Sequence, residues 1–275
     1  MDKKKKIKYY LALIGIFTAI GFTFLYGFFW NDLVIALNAM EGAWLNVLTS
    51  IIRIIILVIM SSILFAKWFK QDKIYTSDAY FLFALFFLIY VVGKIYDLFN
   101  NIMIVSGTAT TEFILIMTKM RHVIITLNIM PVLYIGLETV KAFISAYIKN
   151  INKSRFNKIR LSIVGTYLGI VWFVIILAPT LNALIRALPF YALAIYVIIA
   201  VMFFFMYKNR RLSQAHGLII GIAFLCYIAT GLIRSFISVI ALENPSIFVV
   251  AEILDTVVNF VIFLGFITKP KYAKI

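Results

Sequence analysis

Long apolar runs constrain this chain more than any other feature of its sequence. A helix of about 20 consecutive apolar residues is long enough to cross the hydrocarbon core of a bilayer. Eight stretches reach or approach this length, and they are 8–30, 45–66, 77–99, 115–147, 160–178, 189–207, 217–241 and 247–268. The sequence therefore predicts an all-α integral membrane protein with eight transmembrane helices, with seven or nine spans as the alternatives.

The composition excludes a soluble fold. The chain is 64% hydrophobic and 13% charged, whereas soluble proteins average roughly half apolar and a quarter charged residues. A single Cys and 5 Pro argue against a disulfide scaffold and against a proline-rich disordered chain. The longest predicted inner loop is about a dozen residues, 149–160. We therefore expect residues 1–275 to form one polytopic transmembrane domain with no soluble domain.

Two pairs of segments resemble each other along the chain. The segment LALIGIFTAIGF at 11–22 resembles LSIVGTYLGIVWF at 161–173, and VVGKIYDLF at 91–99 resembles ATGLIRSFI at 229–237. These pairs predict two parallel four-helix halves, 8–147 and 160–268. The alternative stays open, because apolar helices also resemble each other by chance.

The distribution of positive charge predicts the orientation of the spans. If the N-terminus is cytoplasmic, the inner segments are 1–8, 67–78, 148–160, 208–216 and 269–275. They hold 19 of the 26 Lys and Arg residues and only three of the 11 acids. Short cytoplasmic loops are enriched in Lys and Arg. We therefore predict a multi-pass protein of the cell membrane with both termini in the cytoplasm.

The same distribution explains the net charge of +15. A strongly basic chain can bind nucleic acid, but these basic residues are spread over five short segments on one side of the membrane. We therefore expect membrane lipids as partners and no nucleic acid. A protein partner or a homo-oligomer remains open.

Charged residues inside the spans are the strongest functional signal in the sequence. Such charges are costly in lipid and indicate a functional site by default. Seven of them fall in the outer third of five predicted spans: Arg53, Lys94, Asp97, Arg121, Arg234, Glu252 and Asp255. Glu252, Asp255 and Asn259 share one helix face, since they are spaced three and four residues apart. We expect Arg53 or Arg234 to pair with these carboxylates, because both lie at the same predicted depth.

These residues predict a polar pocket that opens to the outside, with Arg121 and His122 above it. The predicted ligand-binding residues are Arg53, Lys94, Asp97, Arg121, His122, Arg234, Glu252, Asp255 and Asn259. Four cations face three carboxylates, so we expect a small anionic or zwitterionic ligand. The alternative is purely structural, because paired charges and polar side chains also hold membrane helices together.

Several specific chemistries lack their residues. Haem would need His pairs at one depth, but His122 and His216 fall at opposite predicted ends of the spans. The chain has no glycine-rich phosphate loop and no HExxH motif. A zinc site at His122 with the nearby carboxylates is a minor alternative. We therefore predict no cofactor, no metal and no catalytic residues, and the sequence favours a function that is not enzymatic.

Three functional classes remain open. The first is a transporter or permease that binds a small anionic, zwitterionic or lipid-linked solute in the outward-facing pocket. The second is a receptor-like sensory module that signals to a partner. The third is a membrane-embedded enzyme acting on an anionic lipid headgroup, for which Arg53, Arg121 and Arg234 would hold the phosphate. The sequence favours them in that order.

Overall fold

The computed structural model describes residues 3–39, 42–106, 109–137, 152–188, 193–240 and 247–273. Within these ranges the chain is helical and contains no strand, which confirms the predicted all-α class. The helices are α1 Lys3–Phe28, α2 Trp30–Ala39, α3 Ala43–Phe69, α4 Ala79–Ser106, α5 Thr111–Gly136, α6 Lys153–Leu177, α7 Leu181–Leu188, α8 Ala194–Lys208, α9 Gly217–Ile240 and α10 Phe248–Ile267, followed by a 3-10 turn at Lys271–Ala273.

Seven helices of the described chain are long and apolar enough to cross a membrane. They are α1, α3, α4, α5, α6, α9 and α10. The predicted span 189–207 corresponds to α8, which is apolar but has 15 residues; residues 189–192 lie outside the described ranges. The predicted span 115–147 is described only as far as residue 137, and α5 continues through Pro131. The protein is therefore a helical, multi-pass membrane protein.

The basic segments 3–8, 67–78, 208–216 and 269–273 meet at one end of the helical bundle, termed the basic end. Lys4 Nζ donates a hydrogen bond to the carbonyl oxygen of Gln71 at 2.6 Å. Near the start of α4 and the end of α10, the rings of Phe83 and Phe266 stack with centroids 3.5 Å apart. Two further contacts there are His216 N to Gly265 O at 2.8 Å and the Tyr272 hydroxyl to Leu212 O at 3.0 Å. The opposite end of the bundle is termed the far end.

Phenylalanine rings fill the core in the half of the bundle nearer the basic end. They come from four helices, α4, α8, α9 and α10, and each ring is buried. This phenylalanine layer consists of Phe83, Phe86, Phe87, Phe203, Phe224, Phe263 and Phe266. In the other half of the bundle, the described core contains most of the buried charged side chains.

Candidate ligand site

The seven charged residues predicted from the sequence come together in one group, termed the ionic cluster. Glu252 on α10 is at its centre. Its Oε2 atom accepts from Arg53 Nη1 at 2.8 Å, and its Oε1 atom accepts from Lys94 Nζ at 2.6 Å and from Arg234 Nη2 at 2.9 Å. One carboxylate thus binds cations from α3, α4 and α9.

The second carboxylate of α10 lies one turn further along the same face. Asp255 Oδ2 accepts from Arg53 Nη1 at 3.0 Å and from Arg234 Nη1 at 2.7 Å. Both carboxylates are buried, with residue exposures of 4% for Glu252 and 6% for Asp255. The prediction that these carboxylates pair with Arg53 or Arg234 is confirmed, and each of them pairs with both.

Asp97 on α4 joins the remaining cation to the cluster. Its Oδ2 atom lies 3.1 Å from Lys94 Nζ and 3.7 Å from Arg234 Nη2. Its Oδ1 atom forms an ion pair with Arg121 Nε on α5. The predicted pairing of Lys94 with Asp97 within one helix is present, but Lys94 also reaches Glu252, so the cluster connects five helices.

The cluster has a buried part and a partly exposed rim. The side chains of Arg53 and Lys94 are 2% and 3% exposed, whereas those of Arg121 and Arg234 are 28% and 22% exposed. Four cations face three carboxylates within the described residues, so one positive charge has no carboxylate of its own. The accessible part of this charge lies on Arg121 and Arg234.

A cavity of about 140 Å³ borders the cluster. An apolar cavity of about 150 Å³ in another protein holds one benzene molecule, so this volume suits a ligand of roughly that size. Arg121 and Arg234 line one part of it, and Tyr227 and Asn128 line another. Tyr227 and Asn128 each lie seven residues from the arginine of the same helix, which corresponds to about 10 Å along the axis. The cavity therefore has a charged rim and, nearer the basic end, an uncharged floor.

The floor consists of three tyrosines and one amide. Arg53 Nη2 donates a hydrogen bond to the hydroxyl of Tyr90, which lies 3.1 Å from the hydroxyl of Tyr227. The Tyr196 ring contacts the Tyr227 ring edge-on, with centroids 4.9 Å apart. Asn128 is 5% exposed, and its Oδ1 atom has no hydrogen-bond partner among the described residues. The floor residues thus present hydroxyl and amide groups, and the charge of Arg53, which contacts them, is already paired with Glu252 and Asp255.

Three predicted site residues, Glu252, His122 and Asn259, lie outside the described lining of the cavity. Glu252 binds three cations that do line it, Arg53, Lys94 and Arg234. The buried imidazole of His122 contacts its own helix, with Nδ1 2.7 Å from the Thr118 carbonyl oxygen. Asn259 Nδ2 donates to the carbonyl oxygen of Asp255 at 2.7 Å. His122 therefore does not cover the pocket as the sequence predicted, and Arg121 and Arg234 form its rim instead. Among the described contacts, the Asn259 side chain bonds to the backbone of Asp255 and to no ionic group.

The sequence reasoning missed the residues of the floor. Tyr90 lies four residues before Lys94, Tyr227 seven before Arg234, and Asn128 seven after Arg121. Residues at these spacings share a helix face, so this spacing was the available signal. Tyrosine is common in membrane helices, chiefly near their ends, so its presence alone does not indicate a binding site.

The described residues contain no group of three His, Cys, Asp or Glu side chains that could hold a metal ion. No family model matches the chain, and neither a curated protein nor a solved structure is significantly similar to it. The length and apolar character of its helices therefore define the class of the protein, a helical multi-pass membrane protein. The cavity beside the ionic cluster is the feature that indicates its function.

Proposed function

We propose that the protein binds a small anionic or zwitterionic solute in the cavity and moves it across the membrane as a transporter or permease. The observation that carries this proposal is the partly exposed, positive rim formed by Arg121 and Arg234 beside a cavity of about 140 Å³. Arginine binds carboxylate and phosphate groups with two parallel hydrogen bonds. A solute with one such group would supply the negative charge that the cluster lacks.

Seven buried or partly buried charges would contribute little net stability if their role were purely structural. The desolvation of a buried ion pair offsets most of its attraction, and apolar residues of the same size often replace such a pair without loss of stability. Hydrogen bonds between membrane helices contribute only about 1 kcal/mol each. The size and connectivity of the cluster therefore favour a role in binding.

The depth of the cavity supports transport. Arg53 lies ten residues from the start of α3 at the far end, and Tyr90 lies eleven residues from the start of α4 at the basic end. At 1.5 Å per residue, Arg53 is therefore about 15 Å from the far end and Tyr90 about 16 Å from the basic end. Transporters commonly bind their solutes near the middle of the membrane. The phenylalanine layer fills the described core between the cavity and the basic end, which supports a state in which the cavity is closed toward the basic end.

The proposal includes the topology predicted from the charges. The chain crosses the membrane eight times, α8 being the sixth crossing, and the basic end with both termini is cytoplasmic. The contacts that unite the basic segments at one end of the bundle support this arrangement. The cavity then opens toward the outside of the cell, as an uptake system requires.

The test measures binding and uptake separately. Phosphorylated, carboxylated and zwitterionic compounds are screened for thermal stabilisation of the purified protein, since a ligand that binds only the folded state raises its melting temperature. The hits are then tested for uptake into proteoliposomes. We expect Arg121→Gln to abolish both effects. Stabilisation without uptake would favour the receptor-like alternative, and the absence of any hit would leave the structural role.

A further inference from the structure

The charges at the rim set the net charge of the ligand that fits. Within the described residues, the cluster has one cation more than it has carboxylates, and every carboxylate already binds at least two cations. A ligand with one negative charge balances this excess. A zwitterion leaves the excess in place and brings an ammonium group among four cations. A dianion replaces a positive excess with a negative one.

The floor of the cavity sets the chemistry of the other end of the ligand. The Asn128 amide is buried, and its Oδ1 atom lacks a hydrogen-bond partner in the described chain. A buried acceptor without a partner is destabilising, so a hydrogen-bond donor from a bound ligand is favoured there. Ile89, Ile124 and Ile125 form the apolar part of the wall. A neutral hydroxyl or amide group suits this floor, whereas a second charge does not.

We infer that the cavity is selective for short monoanions that bear one neutral hydrogen-bonding group at the end opposite the anionic group, because the rim and floor residues lie about 10 Å apart along the helix axes. Short carboxylates with a terminal hydroxyl are the simplest members of this class. The inference rests on the proposed function and specifies its ligand class. The carboxylate binds Arg121 and Arg234 at the rim. The hydroxyl donates to Asn128 Oδ1, and the cavity volume of about 140 Å³ limits the ligand to a few carbon atoms.

The experiment compares four probes of similar size by calorimetry on the full-length protein in lipid nanodiscs. The probes are 4-hydroxybutyrate, butyrate without the hydroxyl, 4-aminobutyrate as the zwitterion, and succinate as the dianion. We expect 4-hydroxybutyrate to bind most tightly and butyrate to bind about tenfold more weakly, because one hydrogen bond to the protein is lost. 4-Aminobutyrate and succinate should bind more weakly than butyrate, because neither balances the charge.

Asn128→Leu tests the floor, and Asn100→Leu is its matched control. Asn100 is also a buried amide, 1% exposed with both polar atoms unpartnered in the described chain, but it does not line the cavity. We expect Asn128→Leu to reduce 4-hydroxybutyrate binding to the level of butyrate and to leave butyrate binding unchanged. Asn100→Leu should change neither. Neither substitution breaks a described hydrogen bond, so both variants should fold.

Each other outcome contradicts the inference in a recognisable way. Tighter binding of 4-aminobutyrate or succinate than of 4-hydroxybutyrate, lost in Arg121→Gln, would overturn the monoanion class and leave the proposed function standing. An unchanged ratio of 4-hydroxybutyrate to butyrate affinity in Asn128→Leu would overturn the assignment of the ligand hydroxyl to Asn128. No binding of any probe would overturn this inference, and the wider screen described above would then decide the proposed function.

Discussion

Arg234 and Asp255 form the pair of the ionic cluster that is best suited to a double-mutant test. Their Nη1 and Oδ2 atoms are 2.7 Å apart, and Arg234 is partly exposed, so its loss does not leave a cavity deep in the core. We expect Asp255→Ala to lower the free energy of unfolding by about 3 kcal/mol, because it leaves buried cations without their carboxylate. Arg234→Ala combined with Asp255→Ala should cost less than the sum of the single changes by about 1–3 kcal/mol. Equilibrium unfolding in mixed micelles gives these values.

Lys119 provides the control for this cycle. Its Nζ atom donates to the Ile176 carbonyl oxygen of α6 at 2.7 Å, and it has no described contact with the ionic cluster. Because sites that share no partner add within about 0.5 kcal/mol, Lys119→Ala and Asp255→Ala should be additive. Strict additivity of Arg234→Ala with Asp255→Ala would contradict the pairing.

Tyr90 connects the buried cation to the floor of the cavity. Its hydroxyl accepts a hydrogen bond from Arg53 and lies 3.1 Å from the Tyr227 hydroxyl. Tyr90→Phe removes this acceptor without changing the ring, so we expect a loss of about 1–3 kcal/mol in the free energy of unfolding. Tyr9→Phe on the exposed face of α1 is the control and should have no effect. An equal loss of stability in Tyr9→Phe and Tyr90→Phe would show that the hydrogen bonds of the Tyr90 hydroxyl do not stabilise the protein.

The charged residues of the site could be predicted, and its neutral residues could not, for one physical reason. A charge inside an apolar span is costly, so its presence requires a partner or a function; this made Arg53, Asp97 and Glu252 conspicuous. The cost of a buried amide or phenol is smaller and depends on its partners. Asn128 therefore became informative only when the structure showed that its Oδ1 atom lacks a partner.

Gly265 lets α9 and α10 approach each other closely near the basic end. A Cβ atom at this position would lie 2.6 Å from Ile220 Cγ1 and 3.1 Å from the Ile220 backbone nitrogen. We expect Gly265→Ala to lower the free energy of unfolding by about 1–3 kcal/mol, because the helices must separate. Gly165→Ala on α6, where the new methyl group meets no atom within 4 Å, should be neutral or slightly stabilising, since alanine favours a helix. Equal effects of both changes would contradict the close-packing argument.

The helical elements followed the apolar runs closely where the runs were long. α3 covers the predicted span 45–66 and extends beyond it by two or three residues at each end. α4 begins two residues after the start of the predicted span 77–99 and continues seven residues past its end. The short helix α7 was missed, because a run of eight residues gives no membrane signal. A local signal existed: the Thr180 hydroxyl accepts from the Ala183 backbone nitrogen at 3.2 Å, which is the geometry of a helix N-cap.

The arrangement of charge over the whole molecule is the part of the fold that the sequence predicts least directly. The positive-inside rule assigns sides to segments but does not bring them together. The structure unites the described basic segments through contacts such as Lys4 with Gln71 and Tyr272 with Leu212. The internal repeat stays a prediction; Gly93 and Gly231, at equivalent positions of its two halves, both line the cavity.

Labelling of single cysteines tests the topology and the crossing of α8 together. Cys226 is first replaced by alanine, and cysteine is then introduced at the exposed positions Asn38 and Asn182 of the far end and Asp72 and Asn209 of the basic end. In intact cells, a membrane-impermeant maleimide should label the two far-end positions and neither basic-end position, because the basic end is cytoplasmic in the proposed topology. Permeabilised cells should allow labelling at all four.

Asn182 and Asn209 also test whether α8 crosses, because they flank this helix. At 15 residues α8 is about 22 Å long, which is shorter than the roughly 30 Å hydrocarbon core. Labelling of both from the outside would show that α8 does not cross. Labelling at Asp72 and Asn209 alone would reverse the orientation of the whole molecule and place the cavity on the cytoplasmic side.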